Sequence, residues 1–198
     1  MFHDWKNGAV DIELGDYKGF LDEAKLYKTP YDVCDFGKIY DVTETDCINA
    51  DCMDVTEHLI AKGYNPAILN LASAKRPCGG WDAGMGAQEE SLCFSSNLSQ
   101  SLYQYVDPKY KSVRDSGVPI KEIGYPHDMN YVGIYSPGVT FFRNNITKYY
   151  TLRDATFKCD VITVVALCFN GKSHYVVLSS FPIRLRMGFY HWRQGNHA

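Results

Sequence analysis

Two adjacent carboxylates, Glu89 and Glu90, follow a glycine-rich segment, and their type and spacing could support acid–base chemistry. The segment NLASAKRPCGGWDAGMGAQEE runs from an apolar stretch through paired glycines to this glutamate pair. A carboxylic acid shielded from water can protonate a leaving oxygen while a neighbouring carboxylate holds sugar hydroxyls. Acidic residues are also favoured in the first turn of any helix, because they complement its dipole. From the residues alone, both interpretations stay open.

The elements that position this pair follow from local patterns. The segment 66–73, PAILNLAS, is short and almost continuously apolar, which predicts a strand buried on both faces. Apolar residues then recur at helical spacing from Phe94 to Tyr105, which predicts one helix that begins near Glu89 and ends before Pro108. The glutamates are therefore expected at a helix start beside the carboxyl end of a strand, where α/β sheets bind ligands and phosphates.

The loop glycines limit the kind of nucleotide chemistry. Gly79, Gly80, Gly84 and Gly86 permit close backbone approach and positive φ. Their spacing matches neither the dinucleotide-binding G-x-G-x-x-G pattern nor a Walker loop, since no Gly-Lys-Ser/Thr follows. Nucleotide hydrolysis of the P-loop type is disfavoured.

Upstream patterns predict a strand followed by a helix. KIYDVTETD at 38–46 is rich in β-branched and aromatic residues, which favours a strand. Asp54 stands three residues before Glu57 in the spacing of a capping box, and VTEHLIAKG at 55–63 then predicts a helix that stops at its glycine.

Downstream patterns predict more strands. MNYVGIYSPGVTFFRN reads as a strand, a turn at Pro137–Gly138 and further extended chain. CDVITVVALCF at 159–169 and YVVLSS at 175–180 are two more strand candidates. Together these elements predict an α/β domain with a mixed sheet. At 198 residues we expect one domain, 39–198, with a loosely structured lead-in, 1–38, that packs on it.

Composition excludes several classes of protein. Hydrophobic residues make up 45% and charged residues 22%, which is typical of a globular chain rather than a disordered one. A net charge of −3 gives no electrostatic reason to expect sequence-specific nucleic-acid binding. The sequence lacks an N-terminal signal peptide and any run of 18 apolar residues, so we expect an intracellular protein with no membrane contact.

The seven cysteines form no recognisable metal or redox motif. They are Cys34, Cys47, Cys52, Cys78, Cys93, Cys159 and Cys168. No C-x-x-C occurs and no Cys/His set has zinc spacing, so we expect no metal, reduced thiols and no stabilising disulfide. A thiol nucleophile, Cys78 or Cys93 acting with His127, is a rival hypothesis that no sequence pattern supports.

The loop segment also carries a family resemblance. LNLASAKRPCGGWDAGMGAQEESLCFSS resembles the signature of the microbial type of poly(ADP-ribose) glycohydrolase, which has a strand ending in Asn-Phe-Ala-Ser, three glycines, a spacer of six to eight residues and Gln-Glu-Glu. Here 70–73 match the strand end, Gly79 and Gly80 match two of the glycines, and Cys78 replaces the first. The spacer 81–87 has seven residues.

The resemblance extends over residues 40–166 and implies a macrodomain-like fold that binds terminal ADP-ribose. It implies hydrolysis of the ribose–ribose O-glycosidic bond of poly(ADP-ribose) or a related ADP-ribosyl conjugate, with no metal or organic cofactor. By position, Glu90 would be the catalytic acid and Glu89 would hold ribose hydroxyls. A proton donor near neutral pH needs a raised pKa, which burial and a second carboxylate supply.

The resemblance also implies substrate-binding roles. Gln88 would orient the glutamates, and Gly79 and Gly80 would let the loop approach the diphosphate. Asn70 and Ser73 would line the distal ribose pocket. At Cys78, a side chain where the family has glycine would tilt the loop or narrow the site if that position needs positive φ.

The last part of the chain, 167–198, departs from the family. It contains no counterpart of the second glycine-rich loop that wraps the diphosphate in family members. This end is basic because it contains Arg184, Arg186 and Arg193. These arginines either contact phosphates or belong to a solvated tail. The alternatives to a glycohydrolase are therefore a module that binds ADP-ribose, or ADP-ribosylated protein, without turnover, and an inert remnant with open sheet edges.

Overall fold

The computed structural model describes residues 2–4, 8–10, 15–28, 44–109, 117–127 and 132–166. Within these ranges a four-stranded mixed sheet has the order β3 (Lys25–Tyr27), β5 (Gly133–Arg143), β6 (Leu152–Val165) and β4 (Ala67–Ala72). The β4 strand runs parallel to β6, and the other two pairings are antiparallel. The predicted α/β domain with a mixed sheet is confirmed.

The N-terminal part contributes directly to this sheet. Strands β1 (Phe2–Asp4) and β2 (Gly8–Val10) pair with each other, and helix α1 (Tyr17–Glu23) precedes β3. Phe20 and Leu21 of α1 are buried in the main core. Residues 15–28 are therefore built into the domain rather than loosely structured as expected. The predicted boundary between 1–38 and 39–198 lies outside the described residues and stays a prediction.

Helix α2 (Cys52–Ala61) begins three residues earlier than predicted. Asp51 is its N-cap, and the Asp51 side chain accepts a hydrogen bond from the Met53 N–H. The predicted capping box at Asp54 is therefore wrong, because an aspartate one turn earlier already satisfies the free N–H groups. Gly63, at φ 84°, ends the helix as predicted. Of the strand predicted at 38–46, residues 44–46 form no strand and the rest lie outside the described part.

Among the described strands β4 lies at the edge of the sheet, and it is not buried on both faces. Its side chains alternate, so that Ile68 and Asn70 are buried while Leu69 and Leu71 are exposed. The exposed fraction reaches 52% at Leu71. The apolar run correctly predicted a strand, but the prediction of two buried faces is wrong, since alternation within an all-apolar run is invisible in the sequence.

The helix predicted from Glu89 to Tyr105 is divided into α3 (Gln88–Ser95) and α4 (Leu98–Tyr103). At the break, Ser96 forms a bridge with Phe141 of β5, and the Asn97 N–H donates to the Thr140 carbonyl at 3.2 Å. The Asn97 side-chain oxygen accepts from the Thr140 N–H at 2.9 Å. Pairing with the sheet thus replaces the helical hydrogen bonds at these two residues.

Strands β5 and β6 form the longest pairing of the sheet. The turn predicted at Pro137–Gly138 is instead a register shift inside a continuous β5, with Gly138 at φ 59°. Asp160 of β6 holds this irregularity, accepting hydrogen bonds from the Gly138 N–H at 2.9 Å and the Tyr135 hydroxyl at 2.6 Å. The strand predicted at 159–169 is confirmed for its described part, and the one at 175–180 lies outside the described residues.

The main core lies between one face of the sheet and the helices. Its most buried members include Leu92, Leu98, Ile134, Phe141 and Val161. A smaller apolar cluster occupies the opposite face of the sheet. No helix in the described ranges has the length and apolar character needed to cross a membrane.

Candidate active site

The two glutamates lie where strand β4, the glycine-rich loop and helix α3 meet. Ser73 directly follows β4, and Gln88 is the first residue of α3. Glu89 and Glu90 therefore occupy the first turn of α3 at the carboxyl end of β4, as the sequence predicts. Both are buried, with 3% and 6% of their surface exposed.

Glu89 is held by two main-chain N–H groups. One carboxylate oxygen accepts from the Ser73 N–H at 2.7 Å, and the other accepts from the Cys78 N–H at 3.0 Å. Donors at both oxygens stabilise the ionised form of a group that burial would otherwise keep neutral.

Glu90 is held in the same way by two main-chain N–H groups further along the loop. Its Oε1 accepts from the Gly80 N–H at 2.9 Å and its Oε2 from the Ala87 N–H at 3.1 Å. Ala87 is the N-cap of α3, so the second contact is the half of a capping box that a glutamate at the third helical position supplies. We call the four donors and the two carboxylates the carboxylate cradle, which consists of Ser73, Cys78, Gly80, Ala87, Glu89 and Glu90.

Gly79 is the position where the absence of a side chain matters most. Its φ is 53°, and a Cβ placed there would collide with Glu90 Oε1 and lie 3.3 Å from Glu89 Oε2. The close approach that this glycine permits is, in this structure, an approach to the glutamates.

Burial raises the pKa of Glu89 to about 7 from an ordinary value of 4.5, with the Ser73 N–H opposing the rise and the Glu90 carboxylate adding to it. The Asn70 side chain and the Cys78 N–H also lower it. Glu89 therefore exchanges its proton near neutral pH, which is the range that acid–base chemistry requires.

The Gln88 side chain contacts strand β4 rather than either carboxylate. Its oxygen accepts from the Leu71 N–H at 2.9 Å, and its nitrogen donates to the Leu69 carbonyl at 2.6 Å. These two hydrogen bonds fix the start of α3 against the strand, and the predicted orienting role of Gln88 stays a prediction.

Asn70 lies behind the pair and has no exposed surface. Its side-chain nitrogen donates to the Thr163 hydroxyl on β6 at 3.2 Å. Its predicted contact with the distal ribose stays a prediction. Ser73 is half-buried, and it contacts Glu89 through its main chain.

Cys78 and Cys93 form a disulfide, with their Cα atoms 5.8 Å apart. This corrects two expectations, since the sequence predicted reduced thiols and neither sulfur is available as the rival thiol nucleophile while bonded. Cys78 adopts φ 59°, in the left-handed region that favours glycine. Loop and helix are brought together only by the fold, which is why spacing alone missed this pair.

Sequence reasoning also missed the role of a buried aromatic pair beside Glu89. The rings of Tyr125 and His127 contact each other at a tilt of 36°, with centroids 3.7 Å apart, and the main-chain N–H of His127 donates to the Ala74 carbonyl at 2.7 Å. His127 Nδ1 contacts the Gly124 carbonyl at 2.8 Å and must carry the hydrogen, because a carbonyl only accepts. Burial lowers the pKa of His127 to about 4 and, with the charge of Glu89, raises that of Tyr125.

His127 therefore does not serve as the base for a cysteine in this structure. It remains neutral, and its Nε2 and the Tyr125 hydroxyl find no hydrogen-bond partner among the described residues. Within the same residues no group of three or more His, Cys, Asp or Glu side chains is arranged to hold a metal ion.

A scan against protein-family models matches residues 6–144 to the microbial-type PARG, catalytic domain, where PARG is poly(ADP-ribose) glycohydrolase. A search of curated proteins gives no match.

Solved structures of poly(ADP-ribose) glycohydrolases are similar in fold to this chain. The PARG of Thermomonospora curvata aligns at 23% identity with a TM-score of 0.68, covering 91% of this chain and 65% of that chain. The structure of the same protein bound to the inhibitor ADP-HPD aligns at 21% identity with a TM-score of 0.62, covering 91% of this chain and 64% of that chain. The PARG of Deinococcus radiodurans in complex with ADP-ribose aligns at 23% identity with a TM-score of 0.61, covering 92% of this chain and 73% of that chain. These likenesses confirm the predicted macrodomain-like fold, and the chain spans slightly less than two thirds of the T. curvata structures.

Proposed function

Because the chain belongs to the microbial-type PARG family, we propose that it hydrolyses the ribose–ribose O-glycosidic bond of poly(ADP-ribose) or a related ADP-ribosyl conjugate, releasing ADP-ribose. The family match confirms the resemblance predicted from the loop and the Gln-Glu-Glu run. The observation that carries the proposal is the carboxylate cradle, in which two adjacent buried acids are fixed by four main-chain N–H groups.

The proposed chemistry divides the work between the two acids. Glu90 donates a proton to the departing 2′ oxygen while the anomeric carbon gains oxocarbenium-like character. Glu90 then takes a proton from the water that attacks that carbon, which restores the acid. Glu89 accepts hydrogen bonds from ribose hydroxyls, and its pKa of about 7 makes this contact dependent on pH near neutrality. The reaction as written needs no metal or organic cofactor.

The substrate-binding roles are part of the same proposal. Gly79 and Gly80 bring the loop main chain to the diphosphate, and Cys78 takes the place of a third glycine. Asn70 and Ser73 line the distal ribose pocket, and a hydrogen bond from the Asn70 side chain lowers the pKa of Glu89. Binding of a diphosphate at the loop would compete with Glu90 for the Gly80 N–H.

An ADP-ribose-binding module without turnover is the second candidate. It is favoured by the coverage of the acids, because both are almost fully buried and each of their four oxygens already accepts a main-chain N–H. A substrate must displace one of these donors before the acid can act, and a site that fails to do so would bind without reacting.

The test uses the full purified chain with labelled poly(ADP-ribose). We expect the wild type to release ADP-ribose, and we expect Glu90→Gln to lose about 10²–10⁴-fold in rate while still binding ADP-ribose in calorimetry. Glu122→Gln, which changes a half-exposed glutamate paired with Lys28, is the matched control and should behave as the wild type. Binding by both proteins with release by neither identifies the module, and absence of both binding and release contradicts the proposal.

The site of action and the carrier complete the proposal. We keep the intracellular location expected from the sequence, with ADP-ribosylated protein as the carrier of the substrate. Fractionation of cells that express a tagged chain measures the first, and release from automodified protein compared with free polymer measures the second.

A further inference from the structure

We propose that the Cys78–Cys93 disulfide positions the glutamate pair, so that the proposed site is fully active in its disulfide form and impaired in its dithiol form. This inference rests on the proposed function for its activity readout, but its structural content concerns the carboxylate cradle alone. Cys93 is in this view a positioning residue, which acts on Glu89 through Cys78.

The bond joins the two components of the cradle. Cys78 belongs to the loop that supplies the N–H donors, and its own N–H donates to Glu89 Oε1 at 3.0 Å. Cys93 lies on α3, three residues after Glu90 and four after Glu89, so it shares a helix face with the acids. Both cysteines are buried, with 0% and 2% of their surface exposed. A single covalent bond therefore fixes the donors relative to the acceptors.

The bond also holds Cys78 in a backbone conformation that its side chain disfavours. Its φ of 59° lies in the left-handed region, where a residue with a Cβ is less stable than glycine. The next residue, Gly79, is in the same region and leaves no room for a Cβ beside Glu90. When the sulfur–sulfur bond is broken, Cys78 is free to return to negative φ, which turns its N–H away from Glu89 and displaces Gly79 and Gly80. Such strained residues persist only where their surroundings over-determine them.

The chemistry that opens the bond is thiol–disulfide exchange. A thiolate of an added dithiol attacks one sulfur, the other cysteine leaves as a thiolate and is protonated, and the second thiol of the reagent closes its own disulfide. The dithiol loses two electrons, and Cys78 and Cys93 gain them and end as two thiols. Oxidised glutathione reverses the change by the same exchange.

The test compares the full chain in its two redox states, with thiols counted by alkylation and the reagent removed. We expect reduction to lower kcat by about tenfold to a hundredfold, as a displaced reacting group does, and oxidised glutathione to restore it. Cys93→Ser should stay in the low state under both conditions. Cys47→Ser, which removes an exposed free thiol, should keep the full response of the wild type.

The pKa of Glu89 provides a readout that does not depend on turnover. The Cys78 N–H lowers this pKa, so its loss should move the titration of the Glu89 carboxyl upward, which ¹³C NMR of glutamate-labelled protein measures in each redox state. The other groups that face this carboxyl are Glu90, Asn70, Tyr125 and the Ser73 N–H, and none of them is a cysteine that the reduction changes chemically.

The double variant Cys78→Gly/Cys93→Ala separates positioning from simple loss of structure. Glycine accepts the left-handed conformation and alanine fits the buried site, so this variant should recover most of the activity and lose all redox response. If the reduced wild type keeps its kcat and the Glu89 titration while alkylation shows both thiols free, the inference is wrong. If neither redox state releases or binds ADP-ribose, the proposed function fails, and the Glu89 titration still decides the positioning role.

Discussion

The carboxylate cradle and the β5–β6 pairing both contribute side chains to the interior, but they are stabilised by different interactions. The cradle holds two acids with main-chain N–H donors, at a loop whose residues 82–87 are exposed. The β5–β6 pairing is closed by apolar side chains, among them Phe141 and Phe157, whose rings stack 4.8 Å apart. The strands therefore contribute most of the stability of the fold, whereas the cradle positions two acidic side chains. Substitutions in the strands should mainly change stability, and substitutions in the cradle should mainly change activity.

The largest effect on stability should come from Phe141→Ala in β5. Phe141 is fully buried, so truncation removes apolar contacts and leaves a cavity, and we expect the free energy of unfolding to fall by about 3–5 kcal/mol. Chemical denaturation measures this loss. Ile146→Ala, at a side chain 55% exposed between the same strands, is the control and should be nearly neutral. A fall in kcat of the folded Phe141→Ala protein as large as that of Glu90→Gln would erase the distinction between the regions.

The next effect is specific to the cradle and appears as a dependence of stability on pH. The folded-state pKa of Glu89 is about 7 against 4.5 unfolded, so between these values the folded chain keeps a proton that the unfolded chain has lost. Stability therefore falls as pH rises through this window. His127 has the opposite effect, because its pKa is about 4 in the folded chain and 6.5 in the unfolded chain. Its contribution to the stability of the fold therefore falls as pH drops from 6.5 toward 4.

These two effects oppose each other where the windows overlap. Each amounts to about 3 kcal/mol at most, at about 1.4 kcal/mol per pKa unit. Glu89→Gln should therefore expose a stability that rises with pH up to 6.5, and His127→Gln a stability that falls toward pH 7. Urea unfolding at several pH values measures both slopes relative to the wild type. Identical slopes in all three proteins would show that neither group titrates as described.

A smaller effect on stability, with a large effect on activity, should distinguish Gly79→Ala from Gly84→Ala. Both glycines have positive φ, 53° and 75°, so each alanine carries a strain of about 1–2 kcal/mol. Only the alanine at 79 meets another group, Glu90, whereas nothing lies within 4 Å of a Cβ at 84. We expect Gly79→Ala alone to lose ADP-ribose release by tenfold or more, on the order expected for a misplaced catalytic group. Equal losses in both variants would mean that backbone strain, rather than the approach to Glu90, is responsible.

The smallest effect should come from Gln88→Ala, which removes the two hydrogen bonds from α3 to β4. Each is worth about 1 kcal/mol at most at a half-exposed position, so thermal unfolding should shift by a few degrees. Gln88→Glu keeps an acceptor for the Leu71 N–H but turns a carboxylate oxygen toward the Leu69 carbonyl, which repels it, so its loss should be at least as large. A Gln88→Ala protein with unchanged stability but no activity would show that Gln88 takes part in the reaction rather than holding α3 against β4.

The sequence predicted the elements better than their boundaries. The strand at 67–72, the helix start before Glu89 and the mixed sheet follow from short-range patterns, which the chain obeys. The break at Ser96 and Asn97 does not, because its cause is pairing with Phe141 and Thr140 more than forty residues later. The irregularity at Pro137–Gly138 likewise depends on Asp160 of the next strand.

For the candidate site, the motif identified the acids but not what holds them. Gly79 and Gly80 were expected to serve a bound diphosphate, and in this structure they fit closely around Glu90. The Cys78–Cys93 bond and the Tyr125–His127 ring contact join residues that no known sequence pattern marks. Local signals therefore predicted the proposed chemistry, whereas the contacts that hold the two acids depend on the tertiary fold.

The capping contact of Glu90 has a consequence for the timing of catalysis. Its Oε2 is the acceptor for the N–H of Ala87 at the beginning of α3. Under the proposed role, a proton placed on that oxygen removes the acceptor, and the return of charge restores it. Each turnover would then break and re-form the capping hydrogen bond at the N-terminal end of α3. Fraying of this helix end and cleavage of the glycosidic bond would thus be steps of one cycle.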